Sequence, residues 1–212
     1  MDYNRIRDFI LSYSHDDEGV LKDMYDYALQ NEVPIIRRES RDFLITLLVS
    51  LKPKRILEIG TAIGYSAIVM AQATGEAVID TCELDAVRVT EARQFIDKAG
   101  LKSRINVFEG DAISTLKSLK GNLYDFVFID AAKAQYQNYL DCVLEMAQSG
   151  TVIVSDNILA DGDVLESHFL VEKRDRTIHD RMRAYLYSIK NDSRLETAIL
   201  SVADGMAVSV VK

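Results

Sequence analysis

Short apolar runs alternate with helical stretches through the middle of the chain, and this alternation restricts the possible folds more than any other feature. The apolar runs cover residues 55–59, 77–83, 105–109, 125–129 and 151–155, and the helical stretches between them cover residues 65–73, 86–99, 113–119 and 135–147. Strands that alternate with helices predict right-handed crossovers and a parallel sheet with helices on both faces. Apolar residues in these runs are largely consecutive rather than alternating with polar ones, which is typical of strands buried on both sides.

The two ends of the chain depart from this alternation. Helical spacing occupies residues 20–29 and 38–51, and the tail combines a helix over residues 174–190 with β-rich runs over residues 197–202 and 206–211. Asp204-Gly205 between those runs predicts an antiparallel hairpin. We therefore predict a single α/β domain over residues 1–212. It has a doubly wound, mostly parallel seven-stranded sheet, a C-terminal hairpin and a helical N-terminal extension over residues 1–52.

The composition argues against several classes of protein. No apolar run approaches the roughly 20 residues of a membrane helix, and the N-terminus lacks the pattern of a signal peptide, so we expect no membrane association and a cytoplasmic location. The net charge of −8 argues against a general nucleic-acid coat protein, although it allows a local basic patch. Cys82 and Cys142 lie in separate apolar segments, which favours reduced, buried thiols over a disulfide or a metal site.

A glycine loop follows the first predicted strand and opens a helix. Gly60 and Gly64 enclose three residues, and glycine lets a backbone turn tightly and approach a ligand. Backbone N–H groups at the start of a helix can receive polar ligand atoms. The loop lacks the G-x-G-x-x-G spacing of dinucleotide-binding proteins, which argues against a nicotinamide-dependent oxidoreductase. A plain strand–helix turn is the alternative interpretation.

Acidic residues end the second and third predicted strands. Glu83 ends the second strand, where a carboxylate can accept hydrogen bonds from ribose hydroxyls. Asp111 follows the third strand and could contact an adenine amino group. Asp85 and Asp111 could equally cap the helices that follow them. Because these features occur at successive strand ends, a nucleotide-like ligand is the better interpretation.

Three oxygen-bearing side chains follow the fourth and fifth predicted strands. Asp130 ends the fourth strand, and Asp156 and Asn157 end the fifth. Neighbouring parallel strands lie about 4.8 Å apart, so the two carboxylates would repel unless a cation sits between them. Oxygen ligands without sulfur or imidazole suit Mg²⁺. Lys133 lies just beyond this edge and could act as a base, although a surface lysine is the alternative.

Three longer segments contain the glycine loop and the oxygen-bearing strand ends: Ile56-Leu57-Glu58-Ile59-Gly60-Thr61-Ala62-Ile63-Gly64-Tyr65-Ser66, Phe128-Ile129-Asp130-Ala131-Ala132-Lys133 and Ser155-Asp156-Asn157. Through these segments the chain resembles the cation-dependent O-methyltransferases, the group that includes catechol and caffeoyl-coenzyme A methyltransferases. A closer resemblance is to the bacterial tRNA 5-hydroxyuridine methyltransferase branch. Its segments are Val33-Pro34-Ile35, Ala131-Ala132-Lys133-Ala134-Gln135-Tyr136-Gln137-Asn138-Tyr139, Asp156-Asn157-Ile158-Leu159 and Val202-Ala203-Asp204-Gly205-Met206-Ala207-Val208-Ser209.

The resemblance implies a class I, Rossmann-like methyltransferase fold, an S-adenosylmethionine (SAM) donor, Mg²⁺ or a similar divalent cation, and a homodimer. The implied donor-binding residues are Ile36, Glu58, Gly60, Ser66, Glu83, Asp111, Ala112 and Asp130. The implied metal ligands are Asp130, Asp156 and Asn157, and the implied catalytic residues are Lys133 and Asp130. Ala131-Ala132 replaces the Ala-Asp of plant relatives, which weakens the transfer of their phenylpropanoid specificity.

Two substrate classes stay open at this point. A tRNA substrate needs phosphate contacts, and basic residues that could supply them are Arg37, Arg38, Arg41, Lys173, Arg174, Arg176, Arg181 and Arg183. Such runs usually mark a solvated helix with salt bridges, which is the alternative. We predict methylation of tRNA 5-hydroxyuridine to 5-methoxyuridine. The alternatives are a small catechol or hydroxycinnamoyl-coenzyme A substrate and a non-catalytic SAM-binding module.

Overall fold

The computed structural model describes residues 3–212. The helices are α1 (Tyr3–Leu11), α2 (Gly19–Gln30), α3 (Arg38–Leu51), α4 (Tyr65–Thr74), α5 (Ala86–Lys98), α6 (Ala112–Ser118), α7 (Tyr136–Leu144) and α8 (Arg176–Asn191). The strands are β1 (Arg55–Ile59), β2 (Val78–Glu83), β3 (Ile105–Glu109), β4 (Phe126–Ile129), β5 (Val152–Ser155), β6 (Leu195–Leu200) and β7 (Met206–Val211). Short 3₁₀ segments cover Lys133–Gln135 and Ala160–Leu165. Among the described helices, none has both the length and the apolar character needed to cross a membrane.

The seven strands form one sheet in the order β3-β2-β1-β4-β5-β7-β6. The first five strands pair in parallel, whereas β7 is antiparallel to both β5 and β6. This arrangement confirms the predicted α/β sheet with its C-terminal antiparallel hairpin. The chain crosses from β3 back over to β4 beside β1, so the strand order reverses between β1 and β4. In open α/β sheets, ligands bind at the carboxyl edge beside such a reversal.

Apolar side chains cover both faces of the sheet, because consecutive strand residues point to opposite sides. On one face, strand residues such as Ile56 and Phe128 pack against α2, α3, α4 and α5. On the other, Leu57 and Val127 pack against α6, α7 and α8. The N-terminal helices α2 and α3 thus extend the layer formed by α4 and α5, and they bring the segment before α3 to the edge of the sheet.

The hairpin and the last helix differ from their predicted bounds. The first hairpin strand was expected over residues 197–202 but forms at Leu195–Leu200, because the side chain of Leu195 is buried against α8. Val202 lies in the turn, where Ala203 and Gly205 take positive φ values of 48° and 81°. Helix α8 begins at Arg176 rather than at residue 174, since Asp175 lies at its N-cap position.

The two cysteines are both free, in agreement with the predicted reduced thiols. Cys82 is buried in β2, but Cys142 is only partly buried. The expectation of two buried thiols is therefore wrong for Cys142. Its apolar neighbours in sequence belong to the amphipathic helix α7, whose buried positions include Tyr139 and Val143, and Cys142 lies between those positions.

Candidate active site

A cavity of about 490 Å³ opens at the carboxyl edge of the sheet. Its walls come from the loops that follow β1 to β5 and from the segment before α3. Predicted site residues that line it are Ile36, Gly60, Ser66, Glu83, Asp111, Ala112, Asp130, Lys133 and Asn157. Residues that line it but are not among the predicted site residues include Pro34, Tyr65, Leu84 and Tyr139. The structure thus brings most of the predicted residues to one cavity.

Gly60 brings the loop after β1 into contact with the end of β4. Its φ is +104°, and a Cβ at this position would lie 2.0 Å from the carbonyl oxygen of Asp130. Only glycine fits without moving one of the two backbones, since the obstacle is main chain. The loop is further anchored because the N–H groups of Gly60 and Thr61 donate to the carbonyl of Cys82, at 3.1 and 3.2 Å.

Glu58 lies behind the glycine loop rather than in the cavity wall. Its carboxylate is fully buried and accepts hydrogen bonds from the hydroxyls of Ser66 and Thr81, each at 2.5 Å. Burial raises the pKa of Glu58 to about 8. Glu58 would therefore affect a bound methyl donor only indirectly, through its hydrogen bond with Ser66, which does line the cavity. The local motif could not distinguish a residue that contacts a ligand from one that supports the loop.

Glu83 faces the cavity from the end of β2, with its carboxylate held by backbone groups. One oxygen accepts from the N–H of Ala62 at 2.9 Å. The other accepts from Leu84 and Asp85, at 2.9 and 3.0 Å. These bonds fix the side chain against the glycine loop, so the orientation of Glu83 is set before any ligand arrives.

Asp111 caps α6 and also lines the cavity. Its Oδ1 accepts from the N–H and the hydroxyl of Ser114, both at 2.9 Å. The hydrogen bond from the Ser114 backbone, followed by that from its hydroxyl, lowers the pKa of Asp111. The two interpretations of Asp111 are therefore compatible, whereas Asp85 caps α5 and does not line the cavity.

Asp130, Asp156 and Asn157 meet at the ends of β4 and β5. The register pairs Ile129 with Ser155, so the two aspartates follow directly on adjacent strands. The amide nitrogen of Asn157 donates to Asp130 Oδ1 at 2.8 Å. Asn157 has a φ of 54°, a left-handed conformation that asparagine tolerates better than most residues.

Asp156 has one satisfied and one unsatisfied carboxylate oxygen. Its Oδ1 accepts from the backbone N–H of Asn157 at 2.8 Å and from the hydroxyl of Ser40 at 3.2 Å. Its Oδ2 is buried and has no hydrogen-bond partner within residues 3–212. A buried polar atom without a partner is costly, so this oxygen needs a further donor or a cation.

The raised pKa values of Asp130 and Asp156 agree with the need for a further hydrogen-bond donor or a cation. Burial, and then the charge of Asp130, raises the pKa of Asp156 to about 7. Burial likewise raises the pKa of Asp130. Both carboxylates would be stabilised in their charged form by a divalent cation between them. The oxygen donors fit Mg²⁺, provided that the Asn157 amide turns to present its oxygen.

Lys133 stands at the rim of the cavity in the first position of the short turn Lys133–Gln135. Its ammonium nitrogen lies 3.8 Å from Asp204 Oδ2, and its side chain is 25% exposed. Asp204 comes from the turn between β6 and β7, and its carboxylate also accepts from the N–H of Asp161. The C-terminal hairpin therefore helps to position Lys133.

Two residues outside the predicted set of site residues support the ends of β4 and β5 that carry the aspartates. Ser40, on α3, is buried and reaches Asp156 across 116 positions of sequence. Tyr136, on α7, donates its hydroxyl to the backbone carbonyl of Asp156 at 2.8 Å. Ser40 stands in no motif, and the motif over residues 131–139 does not reveal the role of Tyr136, because each residue acts through a tertiary contact with Asp156.

The predicted basic cluster near the N-terminus is largely neutralised within the chain. Arg41 is buried, where it pairs with Asp17 and Asp42, so the structure excludes it as a phosphate contact. Arg37 pairs with Asp161, and Arg38 pairs with Asp16, each at 2.8 Å. Those last two arginines keep part of their side chains exposed.

The predicted basic cluster over residues 173–183 mainly makes hydrogen bonds to backbone carbonyls. Arg176 donates to the carbonyls of Phe169 and Val171, Arg181 to Ala134, and Arg183 to Val164 and Glu166. Arg174 is exposed and pairs with Glu172 and Asp175 on the surface. Lys173 is exposed as well. Lys173 and Arg174 are therefore the members of this cluster that remain best suited to an external phosphate.

Comparison with known proteins agrees with this geometry. A sequence profile described as O-methyltransferase matches residues 11–212. A catechol O-methyltransferase of Niastella koreensis is 34% identical, over 80% of this chain and 79% of the relative. The structure of an O-methyltransferase from Bacillus cereus in complex with SAH, the demethylated donor, is 26% identical with a TM-score of 0.84, covering 98% of this chain and 97% of that one.

A second solved structure is also similar to this chain. The SAH-bound methyltransferase PaMTH1 of Podospora anserina has a TM-score of 0.87 and 26% identity, covering 99% of this chain and 94% of that one. The cavity of the present chain lies at the carboxyl edge beside the strand reversal, where class I methyltransferases are expected to bind their donor. The chain belongs to the O-methyltransferase family and is a SAM-dependent O-methyltransferase.

Proposed function

We propose that the enzyme transfers the methyl group with the help of a divalent cation held by Asp130, Asp156 and Asn157. The observation that carries this proposal is the buried Asp156 Oδ2, which lacks a hydrogen-bond partner among the described residues and lies on the strand next to that of Asp130, a partly buried carboxylate. When bound there, Mg²⁺ would act as a Lewis acid that stabilises an acceptor oxyanion and orients it. An acceptor with two adjacent oxygens suits such a site, because both can occupy ligand positions.

The protein's own contribution is mainly to position the reactants. Glu83 is fixed by three backbone N–H groups and is proposed to hold the donor ribose. Ser66, Asp111 and the backbone near Ile36 are proposed to line the rest of the donor pocket. Lys133, held near Asp204 at the rim, is proposed to stabilise the developing negative charge on the acceptor oxygen.

For the acceptor we propose 5-hydroxyuridine in tRNA, whose hydroxyl neighbours a carbonyl oxygen. Support comes from the extended motif over residues 131–139 and from the exposed cations Lys173 and Arg174, on the segment that leads into α8. Helix α8 packs on the turn that carries Lys133, so this segment belongs to the cavity side of the molecule. A small catechol is the second candidate, favoured by the function of the Niastella koreensis relative.

Mass spectrometry of tRNA nucleosides from cells with and without this gene separates the two candidates. If tRNA is the substrate, deletion removes 5-methoxyuridine and accumulates 5-hydroxyuridine. An unchanged profile, in cells that make 5-hydroxyuridine, contradicts the tRNA proposal and favours a catechol. A cytoplasmic homodimer is the setting that we propose for this reaction.

Charge reversal on the surface tests the docking segment separately. The double variant Lys173→Glu/Arg174→Glu should weaken tRNA methylation, with a reduced dependence on salt, since fewer phosphates are neutralised. Arg194→Glu is the control for a surface charge reversal elsewhere. Arg194 is 61% exposed and precedes β6, which begins at the amino edge of the sheet, opposite the carboxyl edge that holds the cavity. Equal losses of tRNA methylation in the double variant and in Arg194→Glu would contradict a docking role for the segment that carries Lys173 and Arg174.

A further inference from the structure

Two histidines and an aspartate converge at a point that does not belong to the cavity. His168 Nδ1 lies 2.8 Å from Asp180 Oδ1, and His179 Nδ1 lies 2.9 Å from the same oxygen. One ligand-type atom from each residue lies within 4.8 Å of the other two. His168 precedes α8, whereas His179 and Asp180 lie in its first turns.

A hydrogen bond at Nε2 fixes the tautomer of His179. His179 is only 3% exposed, and its Nε2 lies 3.1 Å from the carbonyl oxygen of Glu166. A carbonyl can only accept, so Nε2 carries the hydrogen and donates it. In the neutral ring, the lone pair of Nδ1 then points at the carboxylate of Asp180. Two acceptors in contact repel, so either an additional proton or a cation must lie between them.

We propose that His168, His179 and Asp180 form a second metal site, for Zn²⁺ or a similar transition-metal ion. Two imidazole nitrogens and one carboxylate oxygen form a mixed ligand set that Zn²⁺ accepts, with water as the fourth ligand. This set differs from the oxygen donors of Asp130, Asp156 and Asn157, so the two sites select different ions. Metal-bound histidines commonly donate their other N–H to a backbone carbonyl, as His179 does to Glu166.

The surroundings assign this site a structural role. The site joins α8 to the segment of residues 166–175, whose backbone carbonyls are also held by Arg176 and Arg183. That segment carries two strongly exposed apolar side chains, Phe169 and Leu170. Few of its side chains pack into the core, since Val171 is the only buried residue among residues 166–175. A metal ion here would fasten the segment to α8, which in turn packs on the turn of Lys133.

Calorimetric titration of the untagged, chelator-treated protein with Zn²⁺ tests the site. His168→Ala and Asp180→Asn alter exposed or half-exposed side chains, so the core stays intact. His15→Ala is the matched control, because His15 is an exposed histidine outside the cluster. Asp156→Asn reports any binding of Zn²⁺ at the other site.

One equivalent of Zn²⁺ with a submicromolar Kd is expected in the wild type, in His15→Ala and in Asp156→Asn. Affinity should fall at least about 100-fold in His168→Ala and Asp180→Asn. Zn²⁺ should also raise the Tm of the wild type but not that of His168→Ala. A wild type without submicromolar binding, or a His168→Ala variant that binds as the wild type does, would overturn the proposal.

Discussion

Gly60 offers a stringent test of how closely the glycine loop packs against the end of β4, which carries Asp130. A Cβ at this position would lie 2.0 Å from the carbonyl oxygen and 2.8 Å from the carbonyl carbon of Asp130. Both atoms are main chain, so Gly60→Ala cannot be relieved by a change of rotamer. The substitution must separate the loop after β1 from the end of β4.

Gly121 provides the matched control for the size of this effect. Its φ of +100° is close to the +104° of Gly60, but in the described part of the chain no heavy atom beyond its two sequence neighbours lies within 4 Å of the position of its Cβ. Gly121→Ala should therefore cost only the strain of left-handed backbone, about 1–2 kcal/mol. Gly60→Ala adds an overpacking term of about 1–3 kcal/mol. The expected loss of unfolding free energy for Gly60→Ala is then about 2–5 kcal/mol.

Urea denaturation of the two variants measures the difference directly. An additional loss of about 1–3 kcal/mol corresponds to a Tm lower by about 2–12 °C in a chain of this length. Titration with Mn²⁺, as a probe of the proposed cation site, should show weaker binding in Gly60→Ala alone, because only this variant displaces Asp130. Equal destabilisation of the two variants, with unchanged Mn²⁺ affinity, would refute the close packing of loop and strand.

Two further predictions concern buried polar groups. Burial raises the pKa of Glu58 to about 8 from its ordinary value of 4.5, so the folded state holds its proton more tightly than the unfolded state. Stability should therefore fall as pH rises from about 4.5 to 8. Urea midpoints measured across this pH range should decline less steeply in Glu58→Gln than in the wild type. Equal slopes of midpoint against pH in the two proteins would contradict the role of Glu58. Ser40→Ala removes the hydroxyl that donates to Asp156 Oδ1, so it should cost about 1 kcal/mol of stability. It should also weaken Mn²⁺ binding about 10–100-fold, and unchanged affinity would exclude a supporting role for Ser40.

The sheet and its carboxyl edge could be predicted because their signals are local. Continuous apolar runs give the parallel strands, and the ends of parallel strands meet at one edge. That rule alone placed Asp130 next to Asp156, and the register of β4 and β5 agrees. The same reasoning brought Glu83 and Asp111 to the cavity. The orientation of Glu58 was not predictable, since its burial depends on Ser66 and on a hydroxyl from the neighbouring strand.

The roles of the arginines could not be predicted, because an arginine's partner is set by tertiary structure. Arg41 and Arg174 look alike in sequence, yet one is buried against Asp17 and the other is exposed. The role of Ser40 is not predictable for the same reason, since Asp156 lies far away in sequence. The histidine cluster likewise depends on the loop before α8, which places His168 beside residues 11 and 12 positions further on.

The most direct test of the account is the cation dependence of methyl transfer from labelled SAM, measured on 5-hydroxyuridine-containing tRNA and on catechol. We predict that the wild type methylates one of these acceptors with Mg²⁺ and stops when the cation is chelated. Asp156→Ala should abolish transfer while it retains the wild-type affinity for SAM, because Asp156 does not line the cavity. Transfer that persists in the presence of chelator, or at the wild-type rate in Asp156→Ala, would contradict the proposed role of the two aspartates.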